Sequence, residues 1–536
     1  SRRSFLKGIG AAALAVPLAA ARAGALPDVL SDPKSRTLDI KARHNQAFQK
    51  RLKAASFDRK LKVPAHPISG DEALYPSGIA NFTKGFAHNS FGEIDQTAYA
   101  KYLAAVKSGK LADFEALPLG GNTPLVDPQA GIAFDLETCD ASQNSIAAFS
   151  TLASPGFAAQ MIEEYWMALV RDVPFSQWGS DATIAAAVSE LNANAAYQGP
   201  KPVTPQTLFR GVTPGETVGP YVSQLLLQPF SIGAMPFQGY QTTLPGDFGT
   251  DPNSWLARQN GQGPFGSASL DPTLRFLHNG RGLAEYVHND VLYQEYLAAA
   301  LMLARMNAPL NSGNPYGTGG DIAETGFITF GFPMVQVLVA EVIARAIKNA
   351  WFQKWFIHRV ARPEEYAGLV HFTKTGARSY PVDSSVLNSN AAAQVFARTG
   401  NYFIPLSYPE GCPLHPSYPS GHATAAGAAA TVLKWFFDET FVIPNPLTTT
   451  NDGSGTAAYT GSDAGQITVG GEINKLAANV GFGRMFSGIH WRQDIAQGML
   501  LGEAVAISLL KDQSHLYNEN YQGFSFTKFD GTQITV

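Results

Sequence analysis

Two short segments toward the C-terminal end of the chain, Pro419-Ser420-Gly421-His422 and Arg484-x5-His490-x3-Asp494, follow Lys354 and the pair Arg362-Pro363. Together they offer three fixed cations, a hydroxyl, a glycine amide and two imidazoles, a donor set suited to enclosing a tetrahedral oxyanion. Pro419 disfavours helix at Tyr418, and Ser420-Gly421-His422 then opens an alanine-rich helix, so free amides and the positive dipole end face whatever binds there. Taken alone, the tetrapeptide reads equally as ordinary helix capping. Asp494, four residues after His490, is placed to accept from one ring nitrogen and leave the other to attack or coordinate. Taken alone, that segment reads as a capped helix end with a surface ion pair. Trp351 and Lys354, three apart, share a helix face, and Arg362 lies just beyond the helix that Pro363 helps to end. Cations at a helix C-terminus are most often simple dipole partners. All three segments in one chain make the oxyanion site the stronger reading.

The elements that must position these groups are helical. Ile162, Tyr165, Trp166 and Leu169 mark one apolar face, and Leu292, Tyr296, Ala299 and Leu303 mark another that also carries Asp290. Further helices are predicted near Pro333 to Arg359, His422 to Glu439, Glu472 to Phe486 and Gln493 to Leu510, and the apolar run Phe327 to Ala340 reads as a buried core helix. Period-two alternation is scarce. The fold class is therefore all-α, two helical bundles with long connecting loops. Residues 26–130 are rich in loop signals and form an arm around the bundles, 131–310 the first bundle, and 311–536 the second bundle with the site. Pro444 to Gly471, containing Asn451-Asp452-Gly453-Ser454-Gly455, is a long loop between two site-bearing helices.

Composition narrows the partners. The chain has 536 residues, 45% hydrophobic and 15% charged, with a formal net charge of -4. There is no basic field for nucleic acid and no polybasic run for a membrane surface. Residues 1–25 carry Arg2-Arg3, a weakly apolar stretch from Gly8 to Ala20, and small residues at candidate cleavage sites. This pattern looks like a twin-arginine export signal, too short to span a bilayer, and it directs the protein to a bacterial periplasm or outside the cell. The two cysteines, Cys139 and Cys412, cannot build a disulfide framework or a thiolate metal site, and whether they pair is open.

The motifs resemble those of the vanadium-dependent haloperoxidases, which share an anion site with the type 2 phosphatidic acid phosphatase superfamily. The general pattern is Lys-x6-Arg-Pro, then Pro-Ser-Gly-His, then Ser-Arg-x5-His-x3-Asp. Here seven residues separate Lys354 from Arg362, and Gly483 stands where serine is usual. The longer spacing is similar to the algal bromoperoxidase branch, as are Asn81-Phe82-Thr83-Lys84-Gly85, Tyr165 to Phe175 and Gly471 to Leu476. The resemblance implies a vanadate cofactor with His490 as the vanadium ligand, held by Lys354, Arg362, Arg484, Ser420 and the Gly421 amide, with Trp351 as an apolar wall. It also implies that His422 is the acid and base, that Asp290 orients it, that Asp494 orients His490, and that Lys354 polarises peroxide. His415, seven before His422, stands where algal enzymes carry histidine and fungal chloroperoxidases phenylalanine, and is expected to line the halide approach. The remaining histidines read as structural. The implied reaction is oxidation of bromide, and iodide, by hydrogen peroxide, with halogenation of an organic acceptor by a dimer or larger homo-oligomer. The alternative is an acid phosphatase or phosphotransferase in which His490 attacks phosphorus and His422 protonates the leaving alcohol.

Overall fold

The computed structural model describes residues 40–316 and 323–536, so the proposed export signal lies outside the described residues. Contacts divide the chain into Ser1–Lys62 and Val63–Val536. In the first unit the described part contains the helix Ile40–Asp58 (α1). The second holds helices Gln96–Ser108 (α2), Pro155–Val170 (α3), Ala182–Ala193 (α4), Pro252–Gln259 (α5), Gly280–Tyr286 (α6) and Gln294–Arg305 (α7). Phe332–Phe352 (α8), Pro363–Lys374 (α9), Asn390–Thr399 (α10), Gly421–Phe436 (α11), Val469–Phe486 (α12) and Arg492–Ser514 (α13) follow, together with shorter turns. Among the described residues the strands are three two-stranded antiparallel hairpins of two or three residues per strand. One of them, Leu447–Thr449 with Thr456–Ala458, lies within the loop expected at Pro444 to Gly471. Among the described residues no helix is long and apolar enough to cross a membrane.

At the centre of the second unit is α11, buried along its whole length except at His422, and it packs against α8, α12 and α13. Its alanines present little side chain, so α13 comes close: a Cβ on Gly502 would lie 2.1 Å from Thr424 O, and one on Gly427 2.1 Å from Met499 O. That crossing brings the start of α11 beside the start of α13, where Ser420 N donates to Asp494 O at 3.0 Å. The same argument explains Gly483. A Cβ there would meet Leu283 O at 2.7 Å and Val287 Cγ2 at 2.9 Å, so the serine usual in the family pattern has no room against α6.

Four sequence readings need correction. Pro363 begins a helix, since it occupies the first position of α9 with Arg362 as N-cap; proline lacks only an amide that has no helical partner there. The helix expected to run from Pro333 to Arg359 is α-helical to Phe352, then widens into a π-turn from Gln353 to His358, closed by Arg359 N donating to Lys354 O at 3.1 Å. Asp290 and Leu292 lie in the turn before α7, not on it. The run Phe327 to Ala340 is amphipathic at the surface: Phe327, Ile328 and Val337 are 65%, 72% and 66% exposed. Periodicity alone does not separate such a face from a core helix.

Candidate active site

Lys354 projects from the π-turn, is fully buried, and donates to the carbonyls of Pro416 (2.8 Å) and Ser417 (2.7 Å), keeping one N–H in hand. Burial, then the charges of Arg362 and Arg484, push its pKa well down, with Asp494 opposing. Arg362 is also fully buried, and its fork reaches His415 O (3.0 Å), Ile489 O (2.8 Å) and Pro416 O (3.3 Å). It is anchored by the segment that carries Thr83 and Lys84. Glu365 accepts from Arg362 N (2.7 Å), Thr83 N (2.7 Å) and the Thr83 hydroxyl (3.1 Å), and Lys84 pairs with Glu364 at 2.8 Å with both side chains buried.

Arginine can only donate, and this fixes the His490 tautomer. Arg362 Nη1 lies 2.9 Å from His490 Nε2, so Nε2 carries the lone pair and Nδ1 carries the hydrogen that is donated to Asp494 Oδ2 at 2.6 Å. Burial, then Arg362, Lys354 and Arg484, hold the His490 pKa far below its usual value, so the ring is neutral. Asp494 Oδ2 also accepts from Trp491 N (3.0 Å) and the Ser417 hydroxyl, while burial lifts its carboxyl to about 6 against the pull of Lys354. Arg362 Nη2 lies 2.9 Å from His415 Nδ1, which is also 3.1 Å from Pro416 O, and the His415 ring packs 4.8 Å from Trp351. His415 thus contacts a cradle arginine directly. The Trp351 ring lies over Gly421 and 5.7 Å from Lys354 Nζ.

Ser420 caps α11 by accepting from Ala423 N at 3.3 Å, which leaves its own hydrogen free to donate. Two residues on, His422 Nε2 meets Asp290 Oδ1 at 3.0 Å. Burial raises the Asp290 pKa, but the facing His422 and Arg484 outweigh it and hold the group low, so Asp290 accepts and His422 Nδ1 is the lone-pair nitrogen. Burial and then Arg484 lower the His422 pKa. Arg484 itself is held from behind by Val287 O and by the face of Tyr408, 5.3 Å away. Tyr408 in turn stacks on His288, ring to ring at 3.7 Å. The structure therefore gathers the residues singled out by sequence, and adds Ser417, Glu365, Tyr408 and the Val287 carbonyl. None of these four lies in a motif. A cavity of about 620 Å³, lined by Phe230, Phe237, Tyr240, Tyr286 and Tyr293 among others, borders Asp290.

His288 has a measurable consequence. Burial pushes its pKa down, but hydrogen bonds to Glu285 and Glu410 (2.7 Å) override this and raise it from 6.5 to about 9. A group raised on folding contributes fully below its unfolded value and loses that contribution as pH rises through its folded value. Folding stability is therefore expected to fall between pH 6.5 and about 9, by on the order of 1–2 kcal/mol after solvent screening of Glu410, and the melting temperature with it. In His288→Gln this part of the pH dependence should vanish; parallel melting curves against pH in both proteins would remove the assignment.

The fit to an oxyanion can be tested on charge. Lys354, Arg362 and Arg484 are buried and face two carboxylates, Asp494 beside His490 and Asp290 beside Arg484, and among the described residues Arg484 Nε is buried without a hydrogen-bond partner. Uncompensated buried cations are costly, so an anion with several oxygens suits this cradle. Residues 336–519 match a family model described as the VCPO second helical-bundle domain. A vanadium-dependent bromoperoxidase of Ascophyllum nodosum is 36% identical over 523 residues, with 92% of each sequence covered. One from Corallina pilulifera is 32% identical, covering 93% of this chain and 99% of that protein. The solved homohexameric second vanadate-dependent bromoperoxidase of Ascophyllum nodosum aligns with a TM-score of 0.84 at 30% identity, over 92% of this chain and 90% of that one. With the oxyanion cradle, the fold and the near full-length sequence likeness in agreement, the chain belongs to the vanadium-dependent bromoperoxidase family.

Proposed function

We propose that this protein is a vanadate-dependent bromoperoxidase, which oxidises bromide, and iodide, with hydrogen peroxide and so halogenates organic acceptors. The observation that carries this reading is the 36% identity to a vanadium-dependent bromoperoxidase over 92% of each sequence, and the site supplies the two imidazoles it needs, a neutral His490 with Nε2 beside Arg362 and a carboxylate-held His422 presenting Nδ1. Lys354, Arg362, Arg484, Ser420 and the Gly421 amide would hold vanadate, with His490 Nε2 as the protein's ligand to the metal. Bound vanadate supplies Lewis acidity toward peroxide at a metal that stays at +5. The residues do the rest. The three cations neutralise the oxygens, Lys354 polarises peroxide with its remaining N–H, and His422 Nδ1 accepts and returns the proton. In balance, hydrogen peroxide, bromide and one proton give hypobromous acid and water. His415 and Trp351 form the wall on which halide selectivity rests, and the aromatic cavity beside Asp290 has room for an organic acceptor.

A homo-oligomer fits this reading, because exposed Ile328, Val337 and Leu516 line one apolar hollow on the surface. Export by a twin-arginine route fits residues 1–25. The test is metal analysis of the purified protein with a peroxide-dependent bromination assay with and without vanadate. Bromination is expected to appear on adding vanadate and to fall when phosphate competes for the same cations. Phosphomonoester hydrolysis with no bromination at any vanadate concentration would favour the phosphatase reading.

A further inference from the structure

The support behind Arg484 runs out to the surface of the protein. Its Nη1 donates to Val287 O and lies 3.4 Å from the Tyr408 hydroxyl, while Nε is buried without a hydrogen-bond partner among the described residues and keeps its N–H for an anion. Its aim therefore depends on Val287 and Tyr408. Tyr408 is 1% exposed, its hydroxyl donates to Ala284 O at 2.5 Å, and its ring stacks on His288 with centroids 3.7 Å apart and planes 4° from parallel. His288 directly follows Val287 in the chain, so one residue adjoins both supports. The imidazole is fixed in turn, with Nε2 at 2.7 Å from Glu410 Oε1 and Nδ1 at 3.4 Å from Glu285 Oε2. Both ring nitrogens thus face carboxylates, which an imidazolium satisfies and a neutral ring, with one N–H, does not. Burial opposes the charge, but the bonds to Glu285 and Glu410 outweigh it and carry the pKa to about 9.

We propose that His288 is a positioning residue for the oxyanion cradle: clamped between Glu285 and Glu410, it fixes the Tyr408 ring and the Val287 carbonyl, which together aim Arg484 at the bound anion. The clamp joins two non-helical stretches of chain. One is the turn after α6, which carries Val287, His288 and Asp290; the other is the segment between α10 and α11, which carries Tyr408 and Glu410 and then the carbonyls of His415, Pro416 and Ser417 that hold Arg362 and Lys354. With no helical ladder in either stretch, the ionic link between them sets their spacing. The charged groups around His288 are these two carboxylates, Arg484 beyond Tyr408, Lys84 at 3.3 Å from the Glu410 carbonyl, and Asp290 two residues on. Glu410 is the solvent-facing end of the clamp, its side chain 51% exposed.

This inference rests on the cradle binding a tetrahedral oxyanion, as the proposed function requires, and inorganic phosphate is the probe, so that no turnover is needed. Phosphate binding to vanadate-free protein is measured by calorimetric titration from about pH 7 to about pH 10, and variants are compared as ratios to wild type so that the titration of phosphate itself cancels. At about pH 7, His288→Gln is expected to bind phosphate about three- to tenfold more weakly, less than the roughly 10- to 100-fold typical where a partner touches a ligand directly. At about pH 10 the deficit should shrink to within about twofold, because the wild-type ring has then lost its proton. Glu410→Gln separates aim from long-range charge. It removes a negative charge from an exposed side chain, so through-space attraction alone would strengthen phosphate binding, whereas loss of the clamp weakens it, by about two- to fivefold. In an Arg484→Lys background, adding His288→Gln should change phosphate affinity by less than about twofold, because the group it positions is gone. Wild-type affinity in His288→Gln at about pH 7, a deficit that does not change with pH, stronger binding in Glu410→Gln, or full additivity with Arg484→Lys would each overturn the proposal. Protein that binds phosphate yet oxidises no bromide with vanadate and peroxide would instead overturn the bromoperoxidase reading, and the phosphate ratios would still decide the role of His288.

Discussion

Replacing His490 by alanine is expected to abolish tight vanadate binding, with a loss of roughly 100-fold or more, while inorganic phosphate still binds within about tenfold of wild type. The asymmetry follows from what each anion takes from the site. Both would engage Lys354, Arg362 and Arg484, which respond to charge and to oxygen geometry. Vanadate would additionally take the lone pair of His490 Nε2, the nitrogen that the hydrogen bonds to Asp494 (2.6 Å) and Arg362 (2.9 Å) show to be unprotonated. Calorimetric titration of the variant with each anion separates the two contributions. If vanadate and phosphate affinities fall together, His490 is a structural support of the cradle and the assignment of the metal ligand is wrong.

The second large effect is expected at His422. In His422→Ala the cradle is intact, so vanadate should bind within about tenfold of wild type, yet turnover should drop by about 10²- to 10⁴-fold, the usual range for a positioned acid–base group. Asp290→Asn should lose less, because the amide oxygen can still accept from His422 Nε2 at the observed 3.0 Å while no longer supporting a positive ring. Steady-state kinetics at saturating vanadate, with the metal content measured in parallel, distinguishes this from cofactor loss. Equal loss of metal from His422→Ala and His490→Ala would show that the two imidazoles do not divide the work as described.

The parts of the site that were legible in sequence are those where chemistry and backbone geometry are local. Pro419 to His422 had to open a helix, and Asp494, four positions after His490, is about one turn on, so both could be placed from spacing alone. The Asp290 to His422 pairing was legible only through resemblance, because 132 residues separate the partners. Its backbone was misread as helix because the hydrophobic spacing from Leu292 to Leu303 continues past the true N-terminus of α7. Pro363 was misread for a related reason: proline is compatible with the end of one helix and the start of the next, and only the intervening bend shows which holds. Tyr408, Ser417 and Glu365 were invisible, since each acts through a partner brought near by helix packing. Gly483 was seen as a departure from the pattern, but its cause, the close approach of Leu283 and Val287, belongs to the folded state.

The wide turn at Gln353–His358 bears on how this site tolerates change in chain length. Each residue added to an α-helix advances the direction of everything after it by about 100°, so one additional residue between Lys354 and Arg362 would swing the guanidinium away from the ammonium. A π-turn accommodates such a residue by expanding a single loop of helix, and here it does so between the two cations. It acts as a phase correction: the insertion is confined to six residues, and α9 starts again with its own proline and its own cap. Insertions and deletions at this point are therefore a route by which chains of different spacing converge on one anion geometry, and aligning such chains residue for residue across the turn will pair side chains that do not occupy the same place.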